Sequence, residues 1–256
     1  MAVPSPLDLS ADGKNHQVMY KQIVLLTRRE EMSHEDFVEY WQGTHAPMAE
    51  DIEGVVRYTI VLPTDPEHAE FDGLAELYFE DLEDLYAALG SEGDREPDPD
   101  RETAAEVNRD VANFADLGSL TRFVGEERVQ KDAVDGDTDG LYKHSAFLVR
   151  QEGMSHGDFV EYWQTNHTPI AREIEGVVRY TTVLPADPEY AAFDGVAELY
   201  FEDLDALHDA LGSEGSRDYD PEKGMAKKAR EDVNNFLAVD RRPRLIGREH
   251  VQVEDT

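Results

Sequence analysis

MSHEDFVEYWQGTH, residues 32–45, returns as MSHGDFVEYWQTNH at residues 154–167, an offset of 122 positions. The offset holds well beyond this block. It carries Tyr58 to Tyr180, Phe71 to Phe193, Phe114 to Phe236 and Gly125 to Gly247 without an insertion. Self-similarity of this length means one structural unit built twice. Each copy, residues 20–129 and 142–251, is about 110 residues long, the size of a small domain with its own core and too long for a solenoid repeat. Around the copies we expect a polar N-terminal tail over 1–19 and an acidic solvated linker, QKDAVDGDTDGL, over 130–141. The second unit with its short C-terminal tail then spans 142–256.

Within the first copy, KQIVLLTR after Tyr20 is an apolar run of strand length, and SHEDFVEYWQ follows as a helix that Ser33 and Asp36 start as a capping box. GVVRYTIVLP from Gly54, closed by Pro63, and DGLAELYFE from Asp72 are rich in β-branched and aromatic residues and read as strands. DLEDLYAALG from Asp81, stopped by Gly90, and EVNRDVANFADL from Glu106 have helical spacing, and LTRFVG supplies a last strand. The acidic segments from Ser91 and Ser213 read as loops. The order β-α-β-β-α-β predicts an α+β, ferredoxin-like sheet with helices on one face. Its bare face needs a cover, and the other copy is the obvious one.

Charge narrows the partners. Against 24 basic residues stand 57 acidic ones, a formal charge of −33 over 256 residues. Such a surface repels itself in dilute buffer, whereas at about 1 M salt the Debye length falls to roughly 3 Å. A host rich in salt is the expectation, because 40% apolar and 9% aromatic content in periodic runs argues against an acidic disordered chain. Nucleic acids and anionic membranes are poor partners for it, since the basic stretches KKAR at Lys227 and RRPR at Arg241 are isolated. No apolar run approaches a membrane span, and the N-terminus has neither the basic start nor the apolar stretch of a secretory signal, so a cytoplasmic location is expected. Without cysteine there are no disulfides, thiolate nucleophiles or thiolate metal sites.

A strand containing Lys21, an MS-x-x-DF-x-x-YW helix, a His four residues after the Trp and a G-V-x-RY strand together resemble the EthD family. The matching residues are Phe37, Tyr40, Trp41, His45, Pro47, Gly54, Arg57 and Tyr58, and again Phe159, Tyr162, Trp163, His167, Pro169, Gly176, Arg179 and Tyr180. The resemblance implies the dimeric α+β barrel, with two ferredoxin-like units pairing sheet to sheet, here both from one chain. It also implies relatives that look like polyketide-tailoring or lactone-isomerising enzymes needing no cofactor. The functional expectation is a cofactor-independent enzyme of isomerase, lyase or monooxygenase type, moving a proton on a small hydrophobic oxygenated molecule. The alternative is a non-catalytic, small-molecule-binding or stress-related barrel. Association of such barrels into homo-oligomers stays open.

His45 and His167 are the acid/base candidates. Pro47 removes one helical hydrogen bond and disfavours helical geometry at Ala46, so His45 is expected at a helix break, where an imidazole can face a cavity or tie down a loop. Trp41 and Trp163 share a helix face with Phe37 and Phe159 and serve either the core or a pocket wall. Glu76 and Glu198 interrupt apolar strands, on the face of Leu74 and Tyr78 in the first copy. If that face looks into the barrel, Glu76 and Tyr78 join a polar pocket; otherwise Glu76 pairs with Arg57 or faces solvent. Tyr58 and Tyr180 would add hydroxyls to such a pocket or simply pack. No metal is expected: His34 and His45 lie eleven residues apart, about 16 Å along a helix. Nor does a phosphate-cradling Gly-rich loop or a Gly-x-Ser-x-Gly elbow occur. Some α+β barrels bind haem through one His, and nothing local to His45 favours it. The copies differ beside the His helix, Gly43, Thr44 and Ala46 becoming Thr165, Asn166 and Thr168, while Ile23, Val24 and Leu25 become Ser145, Ala146 and Phe147. Unequal pockets follow.

Overall fold

The computed structural model describes residues 18–90, 100–216, 219, 221 and 224–254. Most of the expected tail and much of the two acidic loops lie outside the described residues. The first unit runs β1 (Met19–Leu26), α1 (His34–Tyr40), a π-helical turn (Trp41–His45), α2 (Ala46–Ala49), β2 (Arg57–Pro63), β3 (Gly73–Phe79), α3 (Leu82–Leu89), α4 (Glu102–Asp110) and β4 (Thr121–Asp132). The second repeats it as β5 (Tyr142–Leu148), α5 (His156–Tyr162), a π-turn (Trp163–His167), α6 (Thr168–Ala171), β6 (Val177–Pro185), β7 (Gly195–Phe201), α7 (Leu204–Leu211), α8 (Gly224–Asp232) and β8 (Arg244–Glu254). The capping serine is as expected: Ser33 accepts from the Asp36 N–H. Helix α4 starts at Glu102, ahead of the expected Glu106, with an acidic residue suited to a helix N-terminus in its first turn.

All strand pairs are antiparallel and close into one barrel, β1-β3-β2-β8-β5-β7-β6-β4, whose last strand pairs back with β1. The units join at their edges through the long last strands, β4 against β6 and β8 against β2. Two glycines at equivalent positions permit that crossing. A Cβ on Gly125 would stand 2.4 Å from the Leu184 carbonyl oxygen, and one on Gly247 2.5 Å from that of Leu62. Strand alternation then divides the side chains. Val24, Tyr58, Ala75 and Leu77 face the helices, as do Ala146, Tyr180, Ala197 and Leu199 in the second unit. Ile23, Leu25, Leu74 and Phe123 point inward with Phe147, Val183, Val196 and Leu245 and fill one layer of the barrel interior.

Two local expectations need correction. Residues 130–141 are more ordered than a free linker: β4 continues through Asp132, the Ala133 N–H donates to the Val178 carbonyl at 2.9 Å, and Thr138 is buried with its hydroxyl on Glu249, while Asp135, Asp137 and Asp139 stay exposed. Of its acidic residues Asp132 is taken up by the fold, paired with Arg179. Nor does Pro47 break its helix. Ala46 keeps helical angles, φ −61° and ψ −41°, and its N–H reaches back five residues to the Trp41 carbonyl. The wide turn takes up the hydrogen bond that a proline cannot make. Among the described residues no helix is long and apolar enough to cross a membrane.

Candidate functional site

The expected site residues fall into two places on opposite faces of the sheet. His45, Trp41 and Tyr58 lie on the helix side, while Glu76 and Arg57 lie inside the barrel, and the second repeat divides in the same way.

The π-turn brings Trp41 and His45 beneath the helices of the first unit. His45 Nδ1 lies 2.8 Å from Asp110 Oδ2, and the other oxygen of that carboxylate accepts from the Tyr40 hydroxyl at 2.9 Å and the Asn113 amide at 2.7 Å. Phe114 packs 4.7 Å from the imidazole, centroid to centroid. The second unit repeats the set with His167 and Asp232 at 2.9 Å, Tyr162 at 2.8 Å, Asn235 at 3.1 Å and Phe236 at 5.0 Å. Burial pushes the Asp232 carboxyl up, but the bonds from His167, Tyr162 and Asn235 outweigh it and hold it below its usual range. Burial lowers His167 below 6.5 against the raising pull of Asp232, and Arg242 adds to the lowering. A carboxylate can only accept, so Nδ1 carries the proton and Nε2 keeps its lone pair. Nε2 takes no hydrogen bond among the described residues.

Beneath the helices of the second unit lies a cavity of about 110 Å³, with His167, Trp163, His144, Tyr180, Leu199 and Arg242 among its lining. The space comes from small side chains. Ala146 and Ala229 stand where the first unit has Val24 and Val107. Among the described residues no group of three His, Asp or Glu side chains converges to hold a metal ion.

Inside the barrel, Lys21 reaches Glu76 at 2.9 Å, Glu127 at 2.9 Å and Glu198 at 2.5 Å. Lys143 contacts Glu76, Glu198 at 3.0 Å and Glu249 at 3.0 Å. Each lysine therefore bridges glutamates of both repeats, with both ammonium groups and Glu76 and Glu198 fully buried. Burial drives the lysines down, but Glu127, Glu198 and Glu76 on Lys21, and Glu198, Glu249 and Glu76 on Lys143, more than reverse it. Glu76 is raised by burial yet held well below its usual range by Lys143 and Lys21. Burial and the neighbouring Glu76 raise Glu198 to about 7. Glu76 thus faces inward with Tyr78, whose hydroxyl donates to it at 3.2 Å. It does not pair with Arg57, which instead reaches Glu254 at 3.3 Å and Glu249 at 3.7 Å. Arg57 and Arg179 line a separate cavity of about 260 Å³ at the barrel mouth with Tyr78 and Tyr200.

Sequence reasoning passed over Asp110 and Asp232, Lys143 and His144. The Asp-Val-x-Asn segment repeated at 110–113 and 232–235 was the available signal for the first pair.

The EthD domain pattern matches residues 29–118 and 151–239. No curated protein sequence matches the chain. Among solved structures, an anthrone oxidase-like protein superposes with a TM-score of 0.57 at 14% identity, covering 97% of this chain and 98% of its own. A candidate monooxygenase of Fusobacterium nucleatum gives 0.54 at 9%, covering 93% and 95%. A chlorite dismutase of Candidatus Nitrospira defluvii gives 0.53 at 12%, covering 90% of each chain. At such identities the likeness is one of fold. With its domain matched twice over most of its length, the chain belongs to the EthD family.

Proposed function

We propose that the protein is a cofactor-independent proton-transfer enzyme acting on a small, largely apolar oxygenated molecule bound under the helices of its second repeat. The observation that carries this reading is the lining of that cavity by His167, whose Nδ1 is tied to Asp232 and whose Nε2 is left as a base. Leu199, Ala197 and Phe236 supply apolar walls for a ring-sized body. Asp232 orients the imidazole, fixes its tautomer and stabilises the imidazolium that forms when Nε2 accepts a proton. Because burial keeps His167 neutral, the base is ready at neutral pH. His45 has the same Asp partner, but Val24 and Val107 take the volume that Ala146 and Ala229 leave open, so catalysis belongs to the second repeat.

Deuterium uptake by cyclohexanone in D2O, followed by NMR, tests the assignment. The wild-type protein and His45→Gln should accelerate uptake, and His167→Gln should lose about 10²-fold or more. Equal rates for wild type and His167→Gln would leave the cavity as a container and refute the enzyme reading.

A further inference from the structure

The two repeats treat their tryptophans differently. The Trp41 indole N–H donates to the Tyr58 hydroxyl at 2.8 Å. The Trp163 indole nitrogen is equally buried and makes no hydrogen bond. Tyr180 is the acceptor nearest in role to Tyr58, and the indole exerts a weak hydrogen-bond pull on its hydroxyl that falls short of hydrogen-bond geometry, while that hydroxyl lies 3.5 Å from Oγ1 of Thr168. One side chain accounts for the change, because Thr168 stands where the first repeat has Ala46 and offers Tyr180 another partner. A buried donor without an acceptor carries its whole desolvation penalty, and native structures seldom tolerate one without a reason. This one stands in the wall of the cavity that holds His167.

A second orphan lies across the floor. His144 Nδ1 is buried with no partner beyond a strained approach to its own backbone, and His144 also lines the cavity. His144 pairs with Leu199 across the sheet, and Leu199 pairs with Tyr180, so the three form one transverse row facing the helices. The row sets polar groups about 10 Å apart, two strand spacings, with an apolar side chain between them. In the first repeat the same row reads Gln22, Leu77 and Tyr58.

We propose that the second repeat takes a carbonyl compound whose oxygen accepts the Trp163 indole N–H, with its apolar body on Leu199 and any second polar function toward His144. This deepens, and rests on, the reading of His167 as the base. The α C–H bond breaks, its proton passes to His167 Nε2, and its electron pair forms the carbon–carbon double bond of an enolate. The negative charge develops on the oxygen that Trp163 holds, where a fixed donor is most effective. Returning the proton to carbon restores the imidazole, so no oxidant or cofactor enters the balance.

Tryptophan occurs only twice in the chain, so the 15N-labelled protein gives two indole N–H signals, one from each repeat. Titration with cyclohexanone should move the Trp163 signal and leave that of Trp41 in place. Methylenecyclohexane, which has the same shape without the oxygen, should bind without the hydrogen-bond shift. Thr168→Ala restores the arrangement of the first repeat and should weaken cyclohexanone about tenfold while leaving the hydrocarbon unchanged. The reciprocal Ala46→Thr should shift the Trp41 signal with no ligand present, which reads the role of the threonine even if the first variant folds poorly. A cyclohexanone shift at Trp41, equal weakening of both probes, or no effect of either threonine exchange would overturn the proposal. The indole titration reads binding and deuterium uptake reads proton transfer. Uptake dependent on His167 with a silent Trp163 signal would overturn the tryptophan role alone, and the reverse would overturn the base alone.

Discussion

Replacing Lys143 by Met should unfold the protein far more readily than replacing Glu198 by Gln, although both positions lie in the same buried network. The interior holds four formal cations, Lys21, Lys143, Arg57 and Arg179, against five carboxylates, Glu76, Glu127, Asp132, Glu198 and Glu249. One carboxyl is in excess, and Glu198, raised to about 7 by burial and by Glu76, is the one that takes the proton. Glutamine imitates that protonated form, so Glu198→Gln should cost no more than about 1 kcal/mol at neutral pH. Lys143→Met keeps the length of the side chain but removes the ion contacts to Glu76 and Glu249 and the hydrogen-bonding contact to Glu198. Each such ion contact at about 3 Å is worth roughly 5 kcal/mol gross at an effective dielectric of 20, against several kcal/mol for desolvating the ammonium. Removing one partner and stranding the others typically costs about 3–5 kcal/mol. With a urea m-value of roughly 2–3 kcal/mol/M for a chain of this size, the midpoint should fall by about 1–2 M. Urea unfolding in molar KCl, followed by circular dichroism, reads both variants, since buried pairs are little affected by screening. The linkage has a definite sign. Glu198 has a raised folded pKa, so its contribution is full below the usual carboxylate range, near 4.5, and is lost as pH rises through about 7. The difference between wild type and Glu198→Gln should therefore shift in favour of the variant above pH 7. A Lys143→Met midpoint within error of wild type, or a Glu198→Gln loss as large as that of Lys143→Met, would refute the charge count.

Two further outcomes follow. At a net charge of −33, transfer from molar KCl to about 0.1 M lengthens the Debye length from roughly 3 to 10 Å, and the melting temperature should drop by about 10 °C or more; an unchanged value would remove the high-salt reading. Deuterium uptake by cyclohexanone should be level near neutral pH and decline as pH falls through the lowered folded pKa of His167, with its half-loss below 6.5 because protonated Nε2 has no lone pair; half-loss above 6.5 would count against His167 as the base.

Much of this architecture was legible in the sequence because it is local or repeated. The offset of 122, the capping serine, the alternation in LAELYF and the final strand all reflect contacts within a few residues or a pattern that occurs twice. The site was legible only in fragments. His45 could be chosen from its place beside Pro47, but the inference used α-helical rules, and a π-turn obeys a different spacing. Its partner Asp110 lies 65 residues away on α4, where no local rule connects the two. Glu76 was placed on the correct strand face, yet one of its two counter-ions, Lys143, comes from the other repeat and is visible only once the barrel closes. The same holds for Asp132, where an acidic composition suggested solvent and the fold provided Arg179. The asymmetry of the pockets was visible as Ala46 against Thr168 and Val24 against Ala146. Its consequence, an indole N–H without an acceptor, needed the geometry of Tyr180.

The most direct test of the central claim, that chemistry is confined to the cavity under the second repeat, is a crystal structure grown in molar salt and soaked with cyclohexanone. The expected result is a ring over Leu199 with its oxygen within about 3.2 Å of Trp163 Nε1 and an α-carbon facing His167 Nε2, and no ring beneath the helices of the first repeat. A ring bound alike under both repeats, or seated instead at the barrel mouth against Arg57 and Arg179, would contradict it.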